Sequence, residues 1–141
     1  MATVTRRILV TGSRDWIDRN DVFLRLSIQV AGADSAVIVH GDCPTGADLF
    51  ADDFGVRHPR CVVEPHPADW FKACTDKCFH KPRVKDGKPY CPVQGFIRNQ
   101  KMVDLGADVC LAFPLGKSPG TRDCMRRAKK AGIHVINCGD E

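Results

Sequence analysis

The sequence predicts an α/β fold: a mostly parallel sheet with helices on both faces, plus a Cys-rich insertion. Three observations predict it. Short apolar runs alternate with stretches of helical spacing, and the runs end in glycine, proline or a polar residue. Such runs suit strands buried on both faces, and their alternation with helices predicts parallel pairing. One stretch, 70–95, breaks the alternation and is rich in Lys, Pro, Cys and Gly.

The first strand is Arg7-Ile8-Leu9-Val10-Thr11-Gly12. A helix follows, with apolar positions Val22, Phe23, Leu26 and Val30, a cap at Asp18 or Asn20, and an end at Gly32. Ala36 to Gly41 reads as the second strand. Thr45 precedes a helix from Gly46 to Phe54 that Gly55 would end. Cys61-Val62-Val63-Glu64-Pro65 is a third strand, stopped by Pro65 and Pro67.

The stretch from Trp70 to Gly95 has no sustained period and needs something to hold it in place. A helix then starts at Gly95 and ends at Gly106. Val109 to Phe113 is the fourth strand, the helix after Gly120 ends at Gly132, and Ile133 to Asn137 is the fifth strand. No internal repeat, linker or second domain is evident, so residues 1–141 read as one domain.

Composition bounds the function. With 141 residues, 43% apolar and 27% charged, the chain is long enough for a real core. A formal charge of +4 is mild. Arg126, Arg127, Lys129 and Lys130 cluster on one late helix, which reads first as a solvated face and otherwise as a nucleic-acid contact. One Tyr and two Trp give no interleaved basic and aromatic platform. The apolar runs are too short to span a bilayer. The N-terminus, Met1 to Arg7, leads into a strand without a signal-peptide core, so a cytoplasmic location is expected.

In a parallel sheet, ligands bind beyond the carboxyl ends of the strands. Four loops are expected there. They carry Gly12, Ser13, Arg14, Asp15 and Trp16; then Gly41, Asp42, Thr45, Gly46 and Asp48; then Arg98 and Asn99; and finally Gly116, Gly120 and Thr121. The last loop joins a strand to a helix start, whose N–H groups and dipole favour phosphate. Arg14 and Arg98 suit paired bonds to phosphate oxygens. Trp16 either stacks on a base or covers the core, and Asp48 either holds a sugar hydroxyl or complements a helix dipole. His40 reads as a structural histidine before it reads as a general base. Neither Gly-x-x-x-x-Gly-Lys-Ser/Thr nor Gly-x-Gly-x-x-Gly occurs, which disfavours an ATPase or a dinucleotide dehydrogenase.

Eight Cys are many for this length. Cys74, Cys78, His80 and Cys91 make a complete tetrahedral zinc set, with a turn at Asp86-Gly87 between its halves. A closed four-ligand site is structural and would order the insertion. The other readings are unligated thiols or a disulfide, and His66 is an alternative to His80. Cys110 falls in a buried strand pattern. A nucleophilic Cys43 or Cys124 has no suitably spaced His to support it.

The segments Val10-Thr11-Gly12-Ser13-Arg14-Asp15-Trp16, His40 to Asp48, Gly95 to Met102 and Pro119-Gly120-Thr121 together resemble the SLOG superfamily. That superfamily includes LOG-type phosphoribohydrolases and the DNA-processing protein DprA. The branch most similar is the YspA-type (YpsA-related) group, found in actinobacteria and their phages. The resemblance runs from Ile8 to the last strand. It implies a Rossmann-like fold and a nucleotide or nucleotide-derived ligand, such as a nucleotide sugar or ADP-ribose-like molecule. If the gene is a phage gene, the location implied is the host cytoplasm.

LOG-type enzymes cleave the bond between base and ribose 5′-phosphate with a glutamate in Gly-Gly-x-Gly-Thr-x-x-Glu. Here Gly120 and Thr121 match, Cys124 stands at the glutamate position, and Arg98 resembles the accompanying arginine. The resemblance thus implies Arg98 and the neighbouring Asp123 as candidate catalytic residues, with Asp15, Asp42 and Asp48 as other carboxylates. A thiol does not replace that carboxylate, which favours binding or sensing over hydrolysis. A DprA-like nucleic-acid role is a third reading, with nucleic acid otherwise not expected as a partner. LOG-type relatives pair through helices, so a homodimer is compatible with the resemblance.

Overall fold

The computed structural model describes residues 3–75, 78, 80, 81 and 83–139. Met1 and Ala2 of the predicted N-terminal approach, and Asp76, Lys77, Phe79 and Pro82 of the predicted insertion, lie outside the described residues.

The described elements, in chain order, are β1 (Thr5–Gly12), α1 (Arg19–Ala31), β2 (Ser35–His40), α2 (Gly46–Arg57), β3 (Cys61–Pro65), β4 (Arg83–Lys85), β5 (Lys88–Tyr90), α3 (Val93–Asp104), β6 (Val109–Phe113), α4 (Pro119–Lys130) and β7 (His134–Asn137). Five strands form one sheet in the order β3-β2-β1-β6-β7. Every pairing in it is parallel. The chain lays down β1, β2 and β3 toward one edge, then returns to add β6 on the other side of β1. The β1/β6 seam is therefore the point where strand order reverses, the place beyond the strand ends where open parallel sheets bind their ligands.

Alternation along the strands feeds two cores. Ile8 and Val10 of β1, with Val109, Leu111 and Phe113 of β6, pack against Val22, Leu26 and Val30 of α1 and Ala47, Ala51 and Phe54 of α2. Leu9, Val39 and Cys110 face the other way, against Met102 and Val103 of α3 and Cys124 and Ala128 of α4. The period of two in the strands thus separates two helical layers. Among the described residues, no helix is long and apolar enough to cross a membrane.

One of the two caps expected for α1 is used, and two expected helix boundaries move, each for a packing reason. Asp18, not Asn20, caps α1, its carboxylate accepting from the Asp21 N–H at 3.0 Å. Helix α2 runs through Gly55 to Arg57. A Cβ at Gly55 would collide with Val63 Cγ2, so this glycine lets the helix lie close on β3 and does not end it. Helix α3 begins at Val93, two residues before Gly95. A Cβ at Gly95 would lie 2.7 Å from the Trp70 ring, so this glycine accommodates an indole. The insertion has structure of its own: β4 and β5 form an antiparallel hairpin around Asp86-Gly87. Both turn residues have positive φ, 52° and 74°, as a two-residue hairpin turn requires.

Candidate functional site

The loop after β1 is fixed from both sides. The Ser13 N–H donates to the Phe113 carbonyl at 2.9 Å, tying it to the end of β6. Its carbonyl accepts from the Ala47 N–H at 3.2 Å, tying it to the start of α2. Side chains are excluded from this junction. A Cβ at Gly12 would strike Ala47, and one at Gly46, where φ is +73°, would strike the Ser13 and Arg14 backbone. The Thr45 hydroxyl donates to the Arg14 carbonyl at 2.9 Å instead of capping α2. The Arg14 side chain is exposed and forms no hydrogen bond or ion pair among the described residues. Trp16 lies edge-on to Phe113, centroids 5.3 Å apart, with its indole N–H on the Asp18 carbonyl. It closes the end of the core.

The loop after β2 is built around Asp48 and His40. Asp48 is buried, and its carboxylate accepts from the Cys43 N–H at 3.2 Å. Burial, above all, raises its pKa, while His40 and Arg98 nearby oppose the shift. The Asp42 N–H donates to His40 Nδ1 at 2.9 Å. That leaves Nε2 as the protonated nitrogen, 2.9 Å from Asp52 Oδ1. His40 is the structural histidine, with both ring nitrogens committed.

Arg98 of α3 gathers the neighbouring loops. Nη1 donates to the Gly41 carbonyl and, at 3.3 Å, to the His66 carbonyl; Nε donates to Asn99 Oδ1 at 3.0 Å. Asn99 in turn donates to the Gly120 carbonyl and to Asp123 Oδ2, both at 3.1 Å. Asp123 also accepts from Arg127 Nε at 2.8 Å. Its carboxylate therefore clasps α3 to α4. Cys124 is fully buried on the inner side of α4. A hydrogen bond with Cys110 is the main cause drawing its thiol pKa down, and burial opposes it.

The last loop turns at Gly116, φ +62°, and Ser118, φ +38°. Arg122 reaches back to the carbonyls of Lys117 and Gly116, at 3.1 and 2.7 Å. The Ser118 hydroxyl donates to Thr121 Oγ1 at 2.8 Å. A Cβ at Gly116 or Gly120 would meet nothing within 4 Å, so the start of α4 is open. The first N–H groups of a helix have no partner within it. These groups and Arg14 belong to the loops that leave the carboxyl ends of the neighbouring strands β6 and β1.

The second cluster lies in the insertion. The ligand atoms of Cys74, Cys78, His80 and Cys91 all lie within 4.8 Å of one another, and could hold a metal ion. Cys74 Sγ is 3.3 Å from His80 Nε2, Cys91 Sγ is 3.7 Å from the same nitrogen, and Cys78 Sγ is 3.6 Å from Cys91 Sγ. Tetrahedral zinc bonds of about 2.0–2.3 Å require ligand separations of roughly 3.5–3.8 Å. His80 Nδ1 lies 2.7 Å from the Lys81 carbonyl, which fixes the proton there and turns the Nε2 lone pair toward the sulfurs. His66 is engaged elsewhere, 2.8 Å from Glu64 Oε2, so His80 belongs to the set. A hydrogen bond with Cys91 pushes the Cys74 thiol up to about 11, while the Thr75 backbone draws Cys78 down. A divalent cation held among three thiolates would offset the repulsion between their charges.

Trp70 links the two clusters, a role the sequence did not reveal. Its carbonyl accepts from the Cys91 N–H at 2.8 Å, and its ring lies against Gly95, Tyr90 and the Arg98 guanidinium.

Residues 6–72 match the model of the YspA, cpYpsA-related SLOG family. The chain is 45% identical over 141 residues to the Gene 61 protein of Mycobacterium phage D29, covering 96% of this chain and 98% of that relative. The chain belongs to the YspA, cpYpsA-related SLOG family. No solved structure matches it. The matched span covers β1 to β3 and their loops, and stops just before the Cys74, Cys78, His80 and Cys91 cluster.

Proposed function

We propose that the chain binds a nucleotide or nucleotide-derived ligand beyond the strand ends at the β1/β6 seam, without turnover. The observation that carries this reading is the pairing of an unpartnered Arg14 with the open start of α4 across the point where strand order reverses. Gly12, Ser13 and Gly46 shape the near wall, Gly116, Gly120 and Thr121 the far one. Gly41, Asp42 and Asp48 line the flank held by Arg98 and Asn99. Membership of a SLOG family supports a nucleotide-related ligand. The buried Cys124 and the clasped Asp123 count against LOG-type hydrolysis.

The metal is zinc, bound by Cys74, Cys78, His80 and Cys91 in a closed structural site. The phage relative supports a role in a host cytoplasm.

One feature favours a second reading with turnover: Asp48, a buried carboxyl with a raised pKa, lies beside Arg98. Isothermal titration of the zinc-loaded protein with a panel of nucleoside mono- and diphosphates, nucleotide sugars and ADP-ribose separates the readings. Saturable binding that Arg14→Ala weakens at least tenfold, with intact ligand recovered afterwards, supports the first. Release of free base supports the second. No heat with any compound overturns both.

A further inference from the structure

The net charge of this protein is not spread over it. Residues 70–91 contain Lys72, Lys77, Lys81, Arg83, Lys85 and Lys88 against Asp76 and Asp86, six minus two, or +4. The whole chain is also +4, so the other residues sum to zero. A zinc ion with three thiolates and a neutral imidazole adds one negative charge and leaves this short module at +3.

The carboxylate pairs among the described residues lie outside this module, although Arg14, Lys101, Lys129 and Lys130 there are also without one. Arg7, Arg19, Arg25, Arg57 and Arg127 each sit within 3.4 Å of a carboxylate. Among the described residues, Lys72, Lys81, Arg83, Lys85 and Lys88 have no carboxylate partner.

The hairpin concentrates that charge. Arg83 pairs with Tyr90 and Lys85 with Lys88, so all four side chains share one face. Two lysines directly opposite each other destabilise a hairpin. A three-residue hairpin is marginal to begin with. A loop needing only solubility has no use for this arrangement, and a closed metal site is what makes it tolerable. Aromatic rings lie along the same face. Lys85 Nζ is 4.8 Å from the centre of the Trp70 ring and Lys88 Nζ is 5.7 Å from that of Phe71. Phe71 is 49% exposed.

We infer that the metal-held hairpin is a docking surface for single-stranded nucleic acid, with Lys81, Arg83, Lys85 and Lys88 on successive phosphates and a base stacked on Phe71. Unpaired cations on a fixed spacing meet a phosphate backbone, and an exposed ring beside them meets the face of any base. An acidic peptide would use the cations but not the ring. This surface is separate from the β1/β6 seam, and its test does not depend on what binds there.

The test is fluorescence anisotropy of a labelled 20-nucleotide oligothymidine with the zinc-loaded protein. About four neutralised phosphates predict a fall in affinity on the order of 50-fold between 50 and 200 mM salt. Arg83→Gln removes an exposed cation with no carboxylate partner and should shallow the salt slope by about 0.7. The triple variant Arg83→Gln/Lys85→Gln/Lys88→Gln, with zinc content checked against the parent, should lose binding. Phe71→Ala should weaken it about tenfold. Lys129→Glu/Lys130→Glu on α4 should bind as the parent does. Equal binding by the zinc-loaded triple variant, or equal loss in the α4 variant, overturns the inference. So does an unchanged affinity in Phe71→Ala, or binding to anionic phosphatidylserine vesicles but not to the oligonucleotide.

Discussion

The guanidinium of Arg98 occupies the space that a side chain at Gly41 would fill. A Cβ there would lie 2.5 Å from Nη1 and 3.1 Å from the Asp48 carboxylate. The glycine at the end of β2 therefore admits an arginine from α3, 57 residues later in the chain, to the loops after β2 and β3. Gly41 thereby links Arg98 to Asp48.

Two glycine substitutions should separate positioning from stability. Gly41→Ala displaces the far end of a flexible side chain, so it should cost about 1 kcal/mol or less. It should nonetheless detach Arg98 and weaken any ligand held on that flank. Gly46→Ala meets the Ser13 and Arg14 backbone at φ +73°, where nothing yields. Left-handed strain and overpacking together should cost roughly 2–4 kcal/mol. Urea unfolding of both variants checks the order; equal costs would mean that the Arg98 end of the junction is as rigid as the backbone end.

Much of this was legible in the sequence, for physical reasons. Ile8 to Val10 and Val109 to Phe113 are apolar throughout because both faces of the sheet are covered, and that pattern marks a central parallel strand. The Cys/His cluster was legible because its four residues, which could hold a metal, fall within 18 positions, from Cys74 to Cys91. Gly55 and Gly95 misled because a glycine that bounds a helix and one that admits a neighbour look alike in one dimension. The role of Trp70 and the bond from Asn99 to Asp123 were hidden for the related reason that these partners are distant in sequence. The hairpin's charge was overlooked because a chain total of +4 conceals where the charge resides.

Metal removal should act locally. Cys91 is fully buried and lies two residues before α3, whereas Cys74 is exposed. Chelation, or Cys91→Ser, should raise amide exchange across residues 72–91 and the first turn of α3. Protection of β1 and β6 should persist, since their cores contain none of the four ligands. Exchange followed by mass spectrometry, with zinc quantified at one per chain in the parent, is the measurement. Global loss of protection would instead make the metal a requirement for the whole fold.

Two carboxylates should give opposite pH signatures. Arg7, then His66, hold the Glu64 pKa down at about 2. The folded state thus prefers the charged form, so Glu64 contributes stability above the ordinary glutamate value of 4.5 that is lost as pH falls toward about 2. The pair is about one-third exposed, so solvent screening limits Glu64→Gln to a cost of about 1 kcal/mol or less at pH 7. Asp48 has the reverse sign. Burial raises its pKa, so the folded state prefers the neutral form, and stability falls as pH rises from 3.8 through the raised value. Asp48→Asn keeps an oxygen for the Cys43 N–H and removes the buried charge. It should gain on the parent as pH rises from 4 to 7, while Glu64→Gln loses ground over the lower part of that range. Thermal unfolding of the parent and both variants at half-unit pH steps reads the two slopes; the same sign in both would mean that Asp48 stays ionised through its contact with Arg98 and His40.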